Sequence, residues 1–257
     1  MKLNFLKVTK IVLVICFFYS WGLLTIHKQI FPYNVLKGFS PSNEMTYKDS
    51  ETALLDKYWV NKLAEGGYII HFRHAQREKW NDVTAFDAWE LANNIKAEDS
   101  SFSKAVCLTD QGVEEAKLIG NVFRKANVNI SKVISSPSCR ARQTALLAFE
   151  KIDQISNSLL HRTANTPNQF LPMTKKLREI ILNTKLEDGK NIILSGHGGT
   201  ISNNINYLID VNNVGVLDDR DETGFIILRK ENDKIIAEYK FKSINRFVNS
   251  FIEFEVN

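Results

Sequence analysis

From Tyr58 onward, compact apolar runs alternate with stretches whose apolar residues recur every three or four positions. Gly66-Gly67 precedes Tyr68-Ile69-Ile70-His71-Phe72, a run of the length and apolarity of a strand buried on both faces. Val133-Ile134 is a second such run and ends in Ser135-Ser136-Pro137. Asn191-Ile192-Ile193-Leu194 is a third, entered from Gly189 and leaving into Ser195-Gly196-His197-Gly198-Gly199. Between them, Thr109 has the character of a helix cap, with Asp110 in the first turn and Val113, Ala116, Ile119 and Phe123 on one face. Further helices are predicted over Ala141–Ala148, Leu177–Leu182 and from Gly199 to about Leu208. Phe225–Leu228 and Ile235–Phe241 flank the polar turn Glu231-Asn232-Asp233 and read as a hairpin. Strands alternating with helices predict an α/β fold: a three-layer sandwich with a mainly parallel central sheet, helices on its faces and a C-terminal β-hairpin.

The N-terminus breaks this pattern. Ile11–Ile26 is uncharged and mostly apolar, preceded by Lys2, Lys7 and Lys10 and followed by His27 and Lys28. As a helix it spans about 24 Å, somewhat less than a bilayer core of roughly 30 Å, and the flanking lysines can snorkel to make up the difference. The expectation is a signal-anchor in residues 1–30 with its N-terminus cytoplasmic and the rest of the chain outside, at the cytoplasmic membrane. A cleaved signal peptide around Ser20-Trp21-Gly22 is the rival, disfavoured because apolar sequence continues through Leu23, Leu24 and Ile26. Residues 31–55, with Pro32, Gly38 and Pro41, read as a linker, and residues 56–257 as one catalytic domain.

The same segment explains the net charge of +4. Removing its four lysines from the 33 basic residues leaves 29 against 29 acids. A neutral remainder gives a polyanion nothing to bind, so nucleic acid is excluded as a partner. Of three cysteines, Cys16 lies in the apolar run; Cys107 and Cys139 are either a disulfide or two buried thiols. No Cys/His spacing fits a metal site.

Three segments share one architectural position. Phe72-Arg73-His74-Ala75, Ser135-Ser136-Pro137-Ser138-Cys139-Arg140 and Ser195-Gly196-His197 each begin where a predicted strand ends. The C-terminal ends of parallel strands lie along one edge, where α/β proteins bind ligands. Residues 73, 74, 140 and 197 therefore converge. Two arginines and two histidines form a donor set suited to a phosphoryl group.

With these motifs the chain resembles the histidine phosphatase superfamily, of phosphoglycerate-mutase-like fold, from about Gly66 to Leu228. Leu-Thr-x-x-Gly-x-x-x-Ala at Leu108–Ala116 and Arg-x-x-x-Thr-Ala at Arg140–Ala145 add to the likeness. Within the superfamily it looks closest to small bacterial phosphatases that include the lipopolysaccharide heptose-phosphate phosphatases. The resemblance implies His74 as a nucleophile that becomes phosphorylated. Arg73 and Arg140 then hold the phosphoryl oxygens, and His197 stabilises the transition state. It implies a small phosphorylated substrate, a sugar or lipid phosphate, and no metal ion or other cofactor. Arg77 is compatible with a further phosphate or substrate contact.

The chain also departs from the family. Ala75 replaces a glycine, and no acid lies between Ser158 and Thr166, near where one branch carries a glutamate. Gly198 stands where another branch carries an aspartate. Glu222, Asp82 and Asp87 are the remaining proton-donor candidates, Glu222 favoured because it precedes the strand predicted at Phe225. A protein phosphohistidine phosphatase and a non-catalytic phosphate-binding domain stay open as alternatives. Specificity is expected to lie between Gln76 and Val106, which show no readable pattern.

Overall fold

A computed structural model of the chain describes residues 51–80, 83–161, 167–201, 214–218 and 221–252. The apolar run Ile11–Ile26, Asp82 and the helix predicted to Leu208 lie outside the described residues. Among the described residues, no helix is long and apolar enough to cross a membrane.

Six strands form one sheet in the order β3-β2-β4-β1-β5-β6. They are β1 (Ile69–Arg73), β2 (Ile130–Ser135), β3 (Gln154–Ile155), β4 (Asn191–Gly196), β5 (Phe225–Glu231) and β6 (Lys234–Phe241). The β3-β2, β2-β4 and β4-β1 pairs are parallel, whereas β5 runs antiparallel to both β1 and β6. The predicted α/β sandwich and hairpin are present.

Side chains alternate across the sheet, and the two faces fill separate cores. Ile70 and Phe72 of β1, Ile193 of β4 and Phe225 and Ile227 of β5 point to one face. Helices α1 (Glu51–Glu65), α4 (Asp110–Lys125), α5 (Cys139–Phe149) and α7 (Ile244–Ile252) cover it with Leu63, Ile119, Phe123, Ala145 and Phe247. Ile69, Ile192, Leu194, Ile226 and Leu228 point the other way, against Leu177 and Ile181 of α6 (Pro167–Asn183). Helix on both faces of the sheet makes three layers.

Four helices were not legible in the pattern. Helix α1 begins at Glu51, inside the stretch 31–55 read as linker, and α7 closes the domain beyond the hairpin. The stretch from Gln76 to Val106 holds α2 (Val83–Asn93) and the single turn α3 (Ser103–Val106). These two share a small core of their own, in which Val83, Ala97, Ala105 and Val106 pack with Cys107 and Cys139. The two cysteines form a disulfide across a separation of 32 residues, which resolves the open choice at that pair. It ties the end of α3 to the first residue of α5.

Candidate active site

Strand register brings the three motifs together. Arg73 is paired with Gly196, and Ser135 with Ser195, so the chain leaves β1, β4 and β2 at one level with β4 in the middle. The next residues are His74, His197 and Ser136. Backbone bonds continue the sheet into the site: His74 N–H donates to the Gly196 carbonyl (3.1 Å) and Ser136 N–H to the Ser195 carbonyl (2.8 Å). Because β5 is antiparallel, its N-terminal end arrives at this same edge. Thr223 N–H donates to the His74 carbonyl (3.2 Å), which places Glu222 beside the Arg73-His74 segment.

Arg73, His74, Arg140 and His197 are all buried, each 4% exposed or less. The His74 and His197 rings lie 5.3 Å apart at 68°. His74 Nδ1 is 2.8 Å from the Ala75 carbonyl, which can only accept. Nδ1 therefore carries the hydrogen and Nε2 the lone pair. Burial, then the charges of Arg140 and Arg73, holds His74 well below the usual histidine range, so the ring is neutral. His197 is held well below it too, by burial and then by Arg140 and His74. His197 Nε2 lies 3.2 Å from Ser136 Oγ and 3.1 Å from Ser138 Oγ, and its Nδ1 lies 3.4 Å from Arg140 Nη2.

The arginines are anchored differently. Arg73 donates to the Asp218 carbonyl and comes within 4.0 Å of Glu222. Arg140 makes a two-pronged ion pair with Asp87 of α2, both contacts 2.8 Å, with side chains 2% and 3% exposed. Asp87 also lies 2.8 Å from His161 Nε2. Burial alone would raise the Asp87 carboxyl, but the hydrogen bonds from His161 and Arg140 outweigh it and hold it below its usual value. An ionised carboxylate with these partners is an anchor for Arg140, which removes Asp87 from the proton donors. Burial pushes the Glu222 carboxyl up despite the charge of Arg73. Of the two candidates among the described residues, Glu222 is thus the one beside Arg73 whose carboxyl burial raises rather than a partner lowers.

His161 is the site residue that sequence reasoning misses. Its ring stands 5.2 Å from that of His197, at 89°. A search of Ser158–Thr166 for a carboxylate passes over it; a search for any titratable group finds it.

The two auxiliary motifs acquire physical reasons. Thr109 caps α4 by accepting from Gly112 N–H (3.1 Å), and Thr109 N–H donates to the Gln76 carbonyl (3.2 Å). A Cβ on Gly112 would lie 2.0 Å from that same Gln76 carbonyl oxygen, so only glycine lets α4 sit against the loop that follows His74. Thr144 accepts from Ala75 N–H (3.0 Å) and donates to the Arg140 carbonyl (2.8 Å), joining the first motif to the second. Gly198 is also sterically fixed: a Cβ there would lie 2.5 Å from the Leu217 carbonyl oxygen, which leaves no room for an aspartate.

Residues 72–164 match the histidine phosphatase superfamily (branch 1). The chain is 30% identical over 87 residues to a phosphoglycerate mutase of Candida albicans, a match over 34% of this chain that spans 29% of that relative. Among solved structures, the protein histidine phosphatase SixA complexed with tungstate is 14% identical with a TM-score of 0.46, over 69% of this chain and 98% of that one. The alpha-ribazole phosphatase from Shigella flexneri is 13% identical with a TM-score of 0.46, over 68% and 97%. Over residues 72–164 the chain is thus similar in sequence to the histidine phosphatase superfamily.

Proposed function

We propose that the protein is a metal-independent phosphomonoesterase that works through a phosphohistidine at His74. The observation that carries this reading is the state of His74: buried, neutral, with Nδ1 tied to the Ala75 carbonyl and the Nε2 lone pair left for attack on phosphorus. Arg73 and Arg140 meet the equatorial phosphoryl oxygens as the bond to the leaving oxygen breaks. His197 completes the set. Arg140 Nη2 can only donate, so His197 Nδ1 accepts from it and Nε2 carries the ring hydrogen, which passes from the Ser136 and Ser138 hydroxyls to the phosphoryl group when substrate binds. Glu222 protonates the leaving oxygen, and water then hydrolyses the phosphohistidine.

Because guanidinium groups supply the positive charge, hydrolysis of simple phosphate monoesters is expected to continue undiminished in excess EDTA. Activity lost on chelation and restored by magnesium or zinc rules the mechanism out.

We further propose an extracytoplasmic location, with a phosphorylated glycan or lipid as substrate. The lysine asymmetry around Ile11–Ile26 supports it, as does the Cys107–Cys139 disulfide, a bond that persists in oxidising compartments. Protease added to intact spheroplasts is expected to digest the domain while the protein stays in the membrane fraction. A domain protected from protease refutes this topology.

A further inference from the structure

Beside the phosphoryl site lies a cavity of about 430 Å³, lined by Gln76, Arg77, Glu78, Lys79, Thr109 and Glu222. Its wall is rigid. Arg77 pairs with Leu108 in an isolated antiparallel bridge, the Gln76 carbonyl accepts from Thr109 N–H, and Gln76 N–H donates to Glu115 Oε2 (3.0 Å). Two features connect it to the chemistry. Glu222, the proton donor assigned above, belongs both to this wall and to the surroundings of Arg73. Arg77 follows the nucleophile by three residues and lies close enough for its charge to act on His74. A leaving group whose oxygen receives its proton from Glu222 therefore extends into this cavity.

Among the described residues, the Arg77 side chain has no ion pair. One terminal nitrogen donates to the Glu78 carbonyl, while Nε is a buried donor with no acceptor among the described residues. Buried donors are satisfied in almost every folded protein, and an orphan of this kind marks a place for a ligand acceptor. Burial and the positive charges of Arg140 and Arg73 push the Arg77 guanidinium below its usual value, as befits a cation short of counter-charge. Asp87 is already committed to Arg140, and burial drives Glu222 toward its neutral form. Glu78 and Lys79 are exposed at the cavity's rim.

We propose that this cavity is a second anion site, in which Arg77, assisted by Lys79, binds a carboxylate or phosphate carried by the leaving group itself. The inference rests on the phosphatase reading and narrows it: the substrate is a phosphate monoester whose alcohol is itself an anion.

The test uses full-length protein and a matched pair of esters, 2-phosphoglycolate and 2-hydroxyethyl phosphate, which differ by one carboxylate. The bisphosphate of ethylene glycol tests phosphate as the second anion. The native protein is expected to favour the anionic esters in kcat/KM by about 10–100-fold, the worth of one charged hydrogen bond. Arg77→Gln should cut kcat/KM for 2-phosphoglycolate, chiefly through KM, by at least about tenfold more than for 2-hydroxyethyl phosphate. Arg77→Lys, which keeps the charge without the fork, should retain part of the preference. No preference in the native protein overturns the proposal. So does an equal loss on both esters, because Arg77 then serves the phosphoryl oxygens. If no ester is hydrolysed, the phosphatase reading fails, and calorimetry with the same pair still decides the site: tighter binding of 2-phosphoglycolate that Arg77→Gln abolishes upholds it, and equal binding refutes it.

Discussion

Replacing His74 with alanine is expected to abolish turnover, with a loss of at least about 10⁴-fold, the scale seen when a covalent nucleophile is removed. Acid stability separates the chemistries. Native protein quenched after brief exposure to labelled substrate should carry a base-stable, acid-labile phosphate, and His74→Ala should carry none. His197→Ala leaves the nucleophile and its tautomer in place, so the label should still form while turnover slows by about 10²–10³-fold, as for loss of one transition-state donor. The contrast between the two histidines is the sharp part. If His74→Ala keeps turnover within tenfold of native on any phosphate ester, a phosphohistidine at this position is excluded.

The second large effect is expected at Asp87, which touches no substrate. Asp87→Ala strands the Arg140 guanidinium in a site where both partners are almost fully shielded from water. Breaking one side of a buried pair costs about 3–5 kcal/mol, which lowers the melting temperature by on the order of 10 °C in a domain of this size. Activity should fall as well, by about 10²-fold, because an ångström of misplacement in a positioning group has that effect. Adding Arg140→Met to Asp87→Ala should recover stability without recovering activity. A single Asp87→Ala variant with native melting temperature and native kinetics removes Asp87 from the site.

The sequence carried the parallel strands and the convergence at their ends because both rest on local signals. Ile69–Phe72, Val133–Ile134 and Asn191–Leu194 are apolar but for His71 and Asn191, and the polar motif after each marks where the sheet stops. Thr109 was legible as a cap for the same reason. The partners of Arg140 were not. Asp87 reaches it from 53 residues before, and His161 in turn reaches Asp87 from just beyond β3; nothing local marks either as part of the site. Helix α2 escaped notice because its inner face is acidic: Asp87 and Glu90 point inward to Arg140 and Arg142, while Trp89 is exposed. A periodicity rule built on apolar residues sees that arrangement inside out. Helix α7 hides behind the hairpin signal, and its Phe247 finds a core that only the folded sheet provides.

The place of β4 has a consequence for how the chain acquires its structure. Strands β1 and β2 are not neighbours; each pairs with β4, which lies between them in space but some 55 residues or more after either in sequence. A chain emerging from the ribosome therefore holds two of its most apolar segments with open hydrogen-bonding edges until Gly196 has been made. Closing the sheet requires threading a late strand between two early ones, a step dominated by loop-closure entropy and therefore slow. Open apolar edges invite pairing with other chains in that interval. The arrangement that places His197 between His74 and Arg140 thus makes the nascent protein dependent on staying unfolded or chaperoned until about three-quarters of these 257 residues exist.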